Sequence, residues 1–208
     1  MDLCVLSCGI FQPELEHIFP DVQRELHGYD IEISFVPPAL HVDYKKLKEG
    51  ILTGLASIAK PTGQTEQKIL LFYGSMCHPD LAQMAGESGA IHPREGNCID
   101  MFLSPGQKKE IEASENVFFM TGGWFKHWRE IFQQGQGWDT IDARINFGRY
   151  DKILILDSGS HDISEEEIFE FYDYIQVPID IEPITLDYFK SVVTNICREV
   201  MNVNTVTA

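Results

Sequence analysis

The chain has 208 residues and a mass of 23.7 kDa, enough for one large domain or two small ones and for a core that needs no disulfide staple. Its 44% hydrophobic and 23% charged residues exclude disorder of the whole chain. No uncharged apolar run reaches the roughly 18 residues a membrane helix requires. Thirty-two acidic residues against 16 basic ones give a net charge of −16, which excludes the phosphate-neutralising footprint of a nucleic-acid binder.

The start, Met1-Asp2-Leu3-Cys4, lacks the basic stretch of a secretory signal, so a cytoplasmic protein is expected. Much of the acid excess falls between Asp151 and Lys190. Such a run reads as a solvated face, or as a docking surface for a basic partner.

In chain order, Leu3 to Leu6 predicts a buried strand closed by Ser7-Cys8-Gly9. Leu15, Ile18, Phe19, Val22 and Leu26 recur at helical spacing and predict a helix over Gln12 to Leu26, with Pro13 in its first turn and Gly28 after its end. Ile31 to Val36 predicts a strand ended by Pro37-Pro38. Leu47, Ile51, Leu55 and Ile58 predict a helix between Val42 and Ala59, followed by a turn at Pro61 to Gln64. Three further apolar runs, Lys68 to Tyr73, Val117 to Thr121 and Lys152 to Asp157, each end in a Gly-containing loop. A short strand around Ile175 to Val177 and a closing helix from Leu186 to Val200 complete the pattern.

Near-continuous apolar strands alternating with amphipathic segments define an α/β protein: a mostly parallel sheet with helices on both faces, in a Rossmann-like three-layer architecture. One domain over residues 1–208 is expected, with room for two related lobes.

Ligands of open α/β sheets sit beyond the carboxyl ends of the strands. Four loops therefore draw attention, and their glycines, Gly9, Gly74, Gly122 and Gly159, would let backbone approach a cofactor closely, although glycine after a strand is also ordinary turn chemistry.

Five cysteines without a signal sequence argue against a disulfide framework. Cys4, within a strand, and Cys197, within the last helix, read as small buried hydrophobes. Cys8, Cys77 and Cys98 lie at strand ends or at the opening of an apolar segment, where thiolates act as nucleophiles or metal ligands. Three such thiolates would hold an iron–sulfur cluster, or zinc, with one coordination position left for a substrate; the alternative is three independent thiols. His78, next to Cys77, is a candidate proton donor or fourth ligand, or merely a polar loop residue. Arg94 is a candidate clamp for an anion, or a surface ion pair with Glu87 or Glu95. Trp124 and Trp128, four residues apart, read as core.

Tyr73-Gly74-Ser75-Met76-Cys77-His78-Pro79, Arg94-Glu95-Gly96-Asn97-Cys98, Thr121-Gly122-Gly123-Trp124 and Leu156-Asp157-Ser158-Gly159 resemble the motifs of domain-of-unknown-function family 1638. Ser7-Cys8-Gly9 followed by Glu14 fits the same pattern. The first motif carries an extra residue before Cys77, and Asn97 stands where the family tends to have an acid. The resemblance implies that Cys8, Cys77 and Cys98 are the motif cysteines. It also implies an anaerobic setting, near corrinoid methyltransferase systems.

Two readings follow. In the first, the three cysteines hold a cluster that faces a small-molecule substrate, with sulfur transfer, lyase or reductive chemistry. In the second, the protein is an accessory that docks on a corrinoid-system protein and its cysteines are structural. A metal-free cysteine nucleophile activated by His78 ranks below both, because adjacent residues rarely aim their side chains at one another. No Gly-x-Gly-x-x-Gly, phosphate loop or Gly-x-Ser-x-Gly is present.

Overall fold

A computed structural model describes residues 2–58 and 67–202. The expected turn at Pro61 to Gln64 lies outside the described residues.

The first strand, β1 (Asp2–Cys8), is buried from Leu3 to Cys8, so it is covered on both faces. A 3-10 turn, Gly9–Phe11, leads into α1 (Gln12–Glu25), which has proline in its first turn and buries Leu15, Ile18 and Val22. Next come β2 (Asp30–Val36), a 3-10 turn at Pro38–Val42, and α2 (Tyr44–Ile58), whose buried residues Leu47, Ile51 and Leu55 form the predicted stripe. After β3 (Gln67–Phe72) the chain makes α3 (Leu81–Glu87), the two-residue β4 (Ala90–Ile91), α4 (Cys98–Phe102) and α5 (Pro105–Glu112). The second half contains β5 (Val117–Thr121), α6 (Gly122–Lys126), a π-helical segment at Arg129–Gly135, α7 (Thr140–Phe147) and β6 (Lys152–Asp157). It ends with α8 (Glu165–Ile175), β7 (Ile179–Pro183) and α9 (Asp187–Asn202).

The strands form two all-parallel sheets flanked by helices: β2-β1-β3-β4 and β5-β6-β7. The expected α/β class and the parallel pairing are therefore present, divided between two sheets.

One expected element moves. The strand placed around Ile175 to Val177 is instead the end of α8, and β7 begins at Ile179. Ile175 and Val177 are both buried, so their apolar, β-branched character reflects core packing at a helix end. Gln176 between them stops the helix with a left-handed backbone, φ 55°.

The main core runs from the first sheet to Val117, Leu154 and Leu156 of the second, which ties the halves together. A second core lies on the far face of β5 and β6, built on Phe125, Trp128, Phe132, Phe147 and Phe171. The last helix, α9, returns to the first half. Its Phe189 stacks on Phe102 at 4.6 Å and Lys190 bridges Asp21 and Glu25 of α1 at 3.2 and 3.0 Å. This return packs α9 against the first sheet.

Candidate functional site

Cys8, Cys77 and Cys98 line one cavity of about 230 Å³ at the carboxyl ends of β1 and β3. Each thiol is delivered by a different local device. Cys8 is the last residue of β1, and Ser7 pairs with Phe72 in the parallel register, so Cys8 and Tyr73 leave adjacent strands side by side.

Cys77 is carried by the loop after β3. Ser75 N donates to Glu95 O and Met76 N to Gly96 O, both at 2.8 Å, so that loop is laced to the segment before α4. A Cβ at Gly74 would lie 2.6 Å from Gly96 O and 2.7 Å from Asn97 Cα. Only glycine permits this backbone-to-backbone approach.

Cys98 opens α4. Asn97 Oδ1 accepts from Ile99 N and Asp100 N at 2.9 and 3.2 Å, and Asp100 Oδ2 accepts from Asn97 N at 3.2 Å. This reciprocal capping box fixes the direction in which Cys98 leaves the chain.

Apart from Asn97 and the Tyr73 phenol, the rest of the wall is largely apolar. Ile10, Phe11 and Trp124 form the inner side, and Tyr44 and Met76, both exposed, stand at the mouth. Trp128 is buried against Phe171 and Tyr174, as a core residue, whereas Trp124 is on the cavity wall.

All five cysteines are free thiols, Cys8 buried and Cys77 and Cys98 half-buried. Burial pushes Cys8 up to about 12, and the neighbouring Cys77 adds to the shift. Cys98 is raised by burial, then by Cys77 and Cys8, and Cys77 is raised by burial. Burial, the largest cause at each position, therefore favours the neutral thiol at all three.

Tyr73 has its hydroxyl among these sulfurs. The residue is 1% exposed, and burial followed by charge on Cys8 and Cys77 raises its pKa strongly. The Cys8 thiol lies beside Tyr73 Oη, but the hydroxyl has no formed hydrogen bond in this arrangement.

The other expected residues lie elsewhere. His78 is buried, its Nδ1 accepts from Asp80 N at 2.9 Å and its Nε2 faces Tyr44 O at 3.1 Å. Both ring nitrogens are thus engaged, as a clasp between the β3 loop and the start of α2. Arg94 is exposed and pairs with Glu199 of α9 at 2.9 Å, rather than with Glu87 or Glu95. Neither residue lines the cavity.

A Cβ added at Gly9 would stand 2.8 Å from Val36 O, and one at Gly122 would stand 2.6 Å from His161 Cδ2. At Gly9, Gly74 and Gly122 the close neighbour is protein. Gly159 faces open space with φ +71°, a turn conformation that favours glycine.

A second polar cluster is absent from the sequence-based expectations. Glu14, 1% exposed, accepts a hydrogen bond on Oε1 from Ser158 Oγ at 3.0 Å, and the same oxygen lies 3.1 Å from His161 Nε2. Its Oε2 has no partner. The sequence carries part of the signal, since Glu14 and Asp157-Ser158-Gly159 stand beside strand ends, but not their pairing across the two sheets.

A strand end, the loop after a second strand and a helix start bring three thiols to one cavity of an α/β protein. Residues 35–193 match the family described as "Protein of unknown function (DUF1638)", and the chain belongs to that family. The matched span contains Cys77 and Cys98, while Cys8 and Glu14 precede it. No curated protein matches the chain. No solved structure matches it either.

Proposed function

We propose that the chain binds an iron–sulfur cluster through Cys8, Cys77 and Cys98 and presents it to a small-molecule substrate. One observation carries this reading: three cysteines from distant parts of the sequence line a single cavity, while Cys4 and Cys197 do not. The donor set fits the group, because thiolates are the ordinary ligands of iron–sulfur clusters.

Among the described residues no group of three or more His, Cys, Asp or Glu is spaced to hold a single metal ion. A cluster makes a different demand, since it spreads its thiolates over several metal atoms. When bound, the cluster would supply an iron lacking a fourth protein thiolate, able to act as a Lewis acid. The chain would hold it with three thiols and keep bulk water out with Ile10, Phe11 and Trp124. The reaction class would be sulfur transfer, elimination or reduction.

The test is anaerobic purification with iron, sulfide and zinc analysis and an absorption spectrum. Cys8→Ala, Cys77→Ala and Cys98→Ala should each lose metal, and Cys4→Ala and Cys197→Ala should retain it. Equal metal content in all five variants would end the proposal.

One observation favours the docking reading. Ile141 and Ile145 of α7 and Phe169 and Tyr172 of α8 are exposed apolar side chains on adjoining helices, and α8 carries Glu165, Glu166 and Glu170. An apolar patch with an acidic border suits a partner with basic residues around its own apolar contacts. Such a surface is compatible with a cluster, because the cysteine cavity uses none of these residues.

A further inference from the structure

The Tyr73 hydroxyl is the least explained polar group of the cysteine cavity. Its ring is fully buried, and its oxygen lies beside the Cys8 thiol and near Cys77 without forming a hydrogen bond of normal geometry to either. A buried hydroxyl without a well-formed hydrogen bond is costly, and a phenylalanine would fill the same volume without that cost. The oxygen is therefore placed for something that enters the cavity.

The walls narrow what enters. Among the described residues no Lys, Arg, His, Asp or Glu lines this cavity. The Asn97 side-chain oxygen is already occupied in capping α4. An anion such as a phosphate or carboxylate would be stripped of water with no cation to meet it, in a chain of net charge −16.

Resting on the cluster reading for its setting, we propose that Tyr73 is the hydrogen-bond donor that positions the substrate, and that the substrate is a small uncharged molecule with an accepting sulfur or oxygen, such as a thioamide or thiocarbonyl compound. The phenol O–H donates the hydrogen bond to the acceptor atom. Aromatic and aliphatic walls from Phe11, Ile10 and Trp124 hold the apolar remainder. No bond is broken in this step, so Tyr73 acts as a positioning and specificity residue.

Thioacetamide and acetate form a suitable probe pair, nearly equal in shape and different in charge. Binding of each to the full chain is followed by ligand-detected NMR, on protein as purified and after anaerobic iron–sulfide reconstitution, with iron measured on the same samples. Wild-type protein should bind thioacetamide and show no comparable affinity for acetate. Tyr73→Phe should weaken thioacetamide binding about tenfold, the size of one hydrogen bond, with unchanged iron content.

Equal thioacetamide affinity in wild type and Tyr73→Phe, no thioacetamide binding in either, or acetate binding as tightly would each overturn the proposal. Iron content reports separately on the cluster. A protein that binds no iron yet loses thioacetamide on Tyr73→Phe would refute the cluster and keep the Tyr73 assignment. Thermal melts of the variant establish that it is folded.

Discussion

Glu14 Oε1 lies 3.1 Å from His161 Nε2 across 147 residues of chain, with both side chains buried. The contact joins α1, which packs on the first sheet, to the loop after β6 of the second. Ser158 Oγ donates to the same oxygen at 3.0 Å. Removing His161 leaves the buried Glu14 side chain with Ser158 as its remaining partner, so His161→Ala should cost about 3–5 kcal/mol. Glu14→Gln, which keeps the shape and an accepting oxygen, should cost less, about 1–3 kcal/mol. Urea unfolding of both variants checks the order. A loss below about 0.5 kcal/mol for His161→Ala would mean the pair is a bystander.

Glycine substitutions separate two kinds of backbone freedom. Gly74 faces Gly96 O and Asn97 Cα closer than any Cβ could stand, so Gly74→Ala must part the two loops that carry Cys77 and Cys98. The expected loss is about 1–3 kcal/mol, together with lower iron retention after reconstitution. Gly106, in α5 with nothing within 4 Å of its absent Cβ, is the control. Gly106→Ala should stabilise by about 0.5–1 kcal/mol. Calorimetry of the two variants should show melting shifts of opposite sign.

Much of this fold is legible in the sequence because buried parallel strands write themselves as unbroken apolar runs: Leu3 to Leu6, Ile69 to Phe72 and Ile153 to Leu156 are all strands here. Sorting the cysteines by position likewise places Cys8 and Cys77 at strand ends and Cys98 at the opening of an apolar segment, and these three share the cavity. What sequence could not supply depends on contacts between distant segments. The Glu14–His161 pair exists only once the two sheets are docked. Ile175 and Val177 resemble a strand because burial at a helix end selects the same residue types as a sheet does. Tyr73 reads as the last residue of an apolar run, and nothing local tells that its hydroxyl points among thiols.

Alkaline pH should destabilise the metal-free protein. Burial pushes Cys8 and Cys197 each up to about 12, from an ordinary value of 9.0. Between those values the unfolded chain has lost protons that the folded chain still holds. Stability is therefore full below pH 9 and falls as pH rises toward 12, by up to about 1.4 kcal/mol per pH unit for each such thiol. Cys197→Ala should have a shallower fall than wild type between about pH 9 and 11, although its stability at neutral pH is lower through lost packing. Parallel slopes in the two proteins would show that Cys197 does not titrate with unfolding.

The acid side depends on a different group. Glu167 is the third residue of α8: its Oε2 accepts from Ser164 N at 3.0 Å, and its Oε1 receives Lys126 Nζ at 2.6 Å. The Lys126 hydrogen bond, then the Ser164 backbone, pull its pKa down to about 2 from 4.5. A carboxylate so depressed stabilises the fold above its unfolded value, and that contribution disappears as pH falls from 4.5 through 2. Glu167→Gln keeps an oxygen for Ser164 N but presents no charge to Lys126. At neutral pH it should lose about 1 kcal/mol, a modest figure because both side chains retain roughly a third of their exposure to screening solvent. The deficit should shrink as wild type and variant are unfolded by urea at about pH 4, 3 and 2.5. A deficit that stays constant across that range would assign the loss to altered packing of the cap rather than to the charge of Glu167.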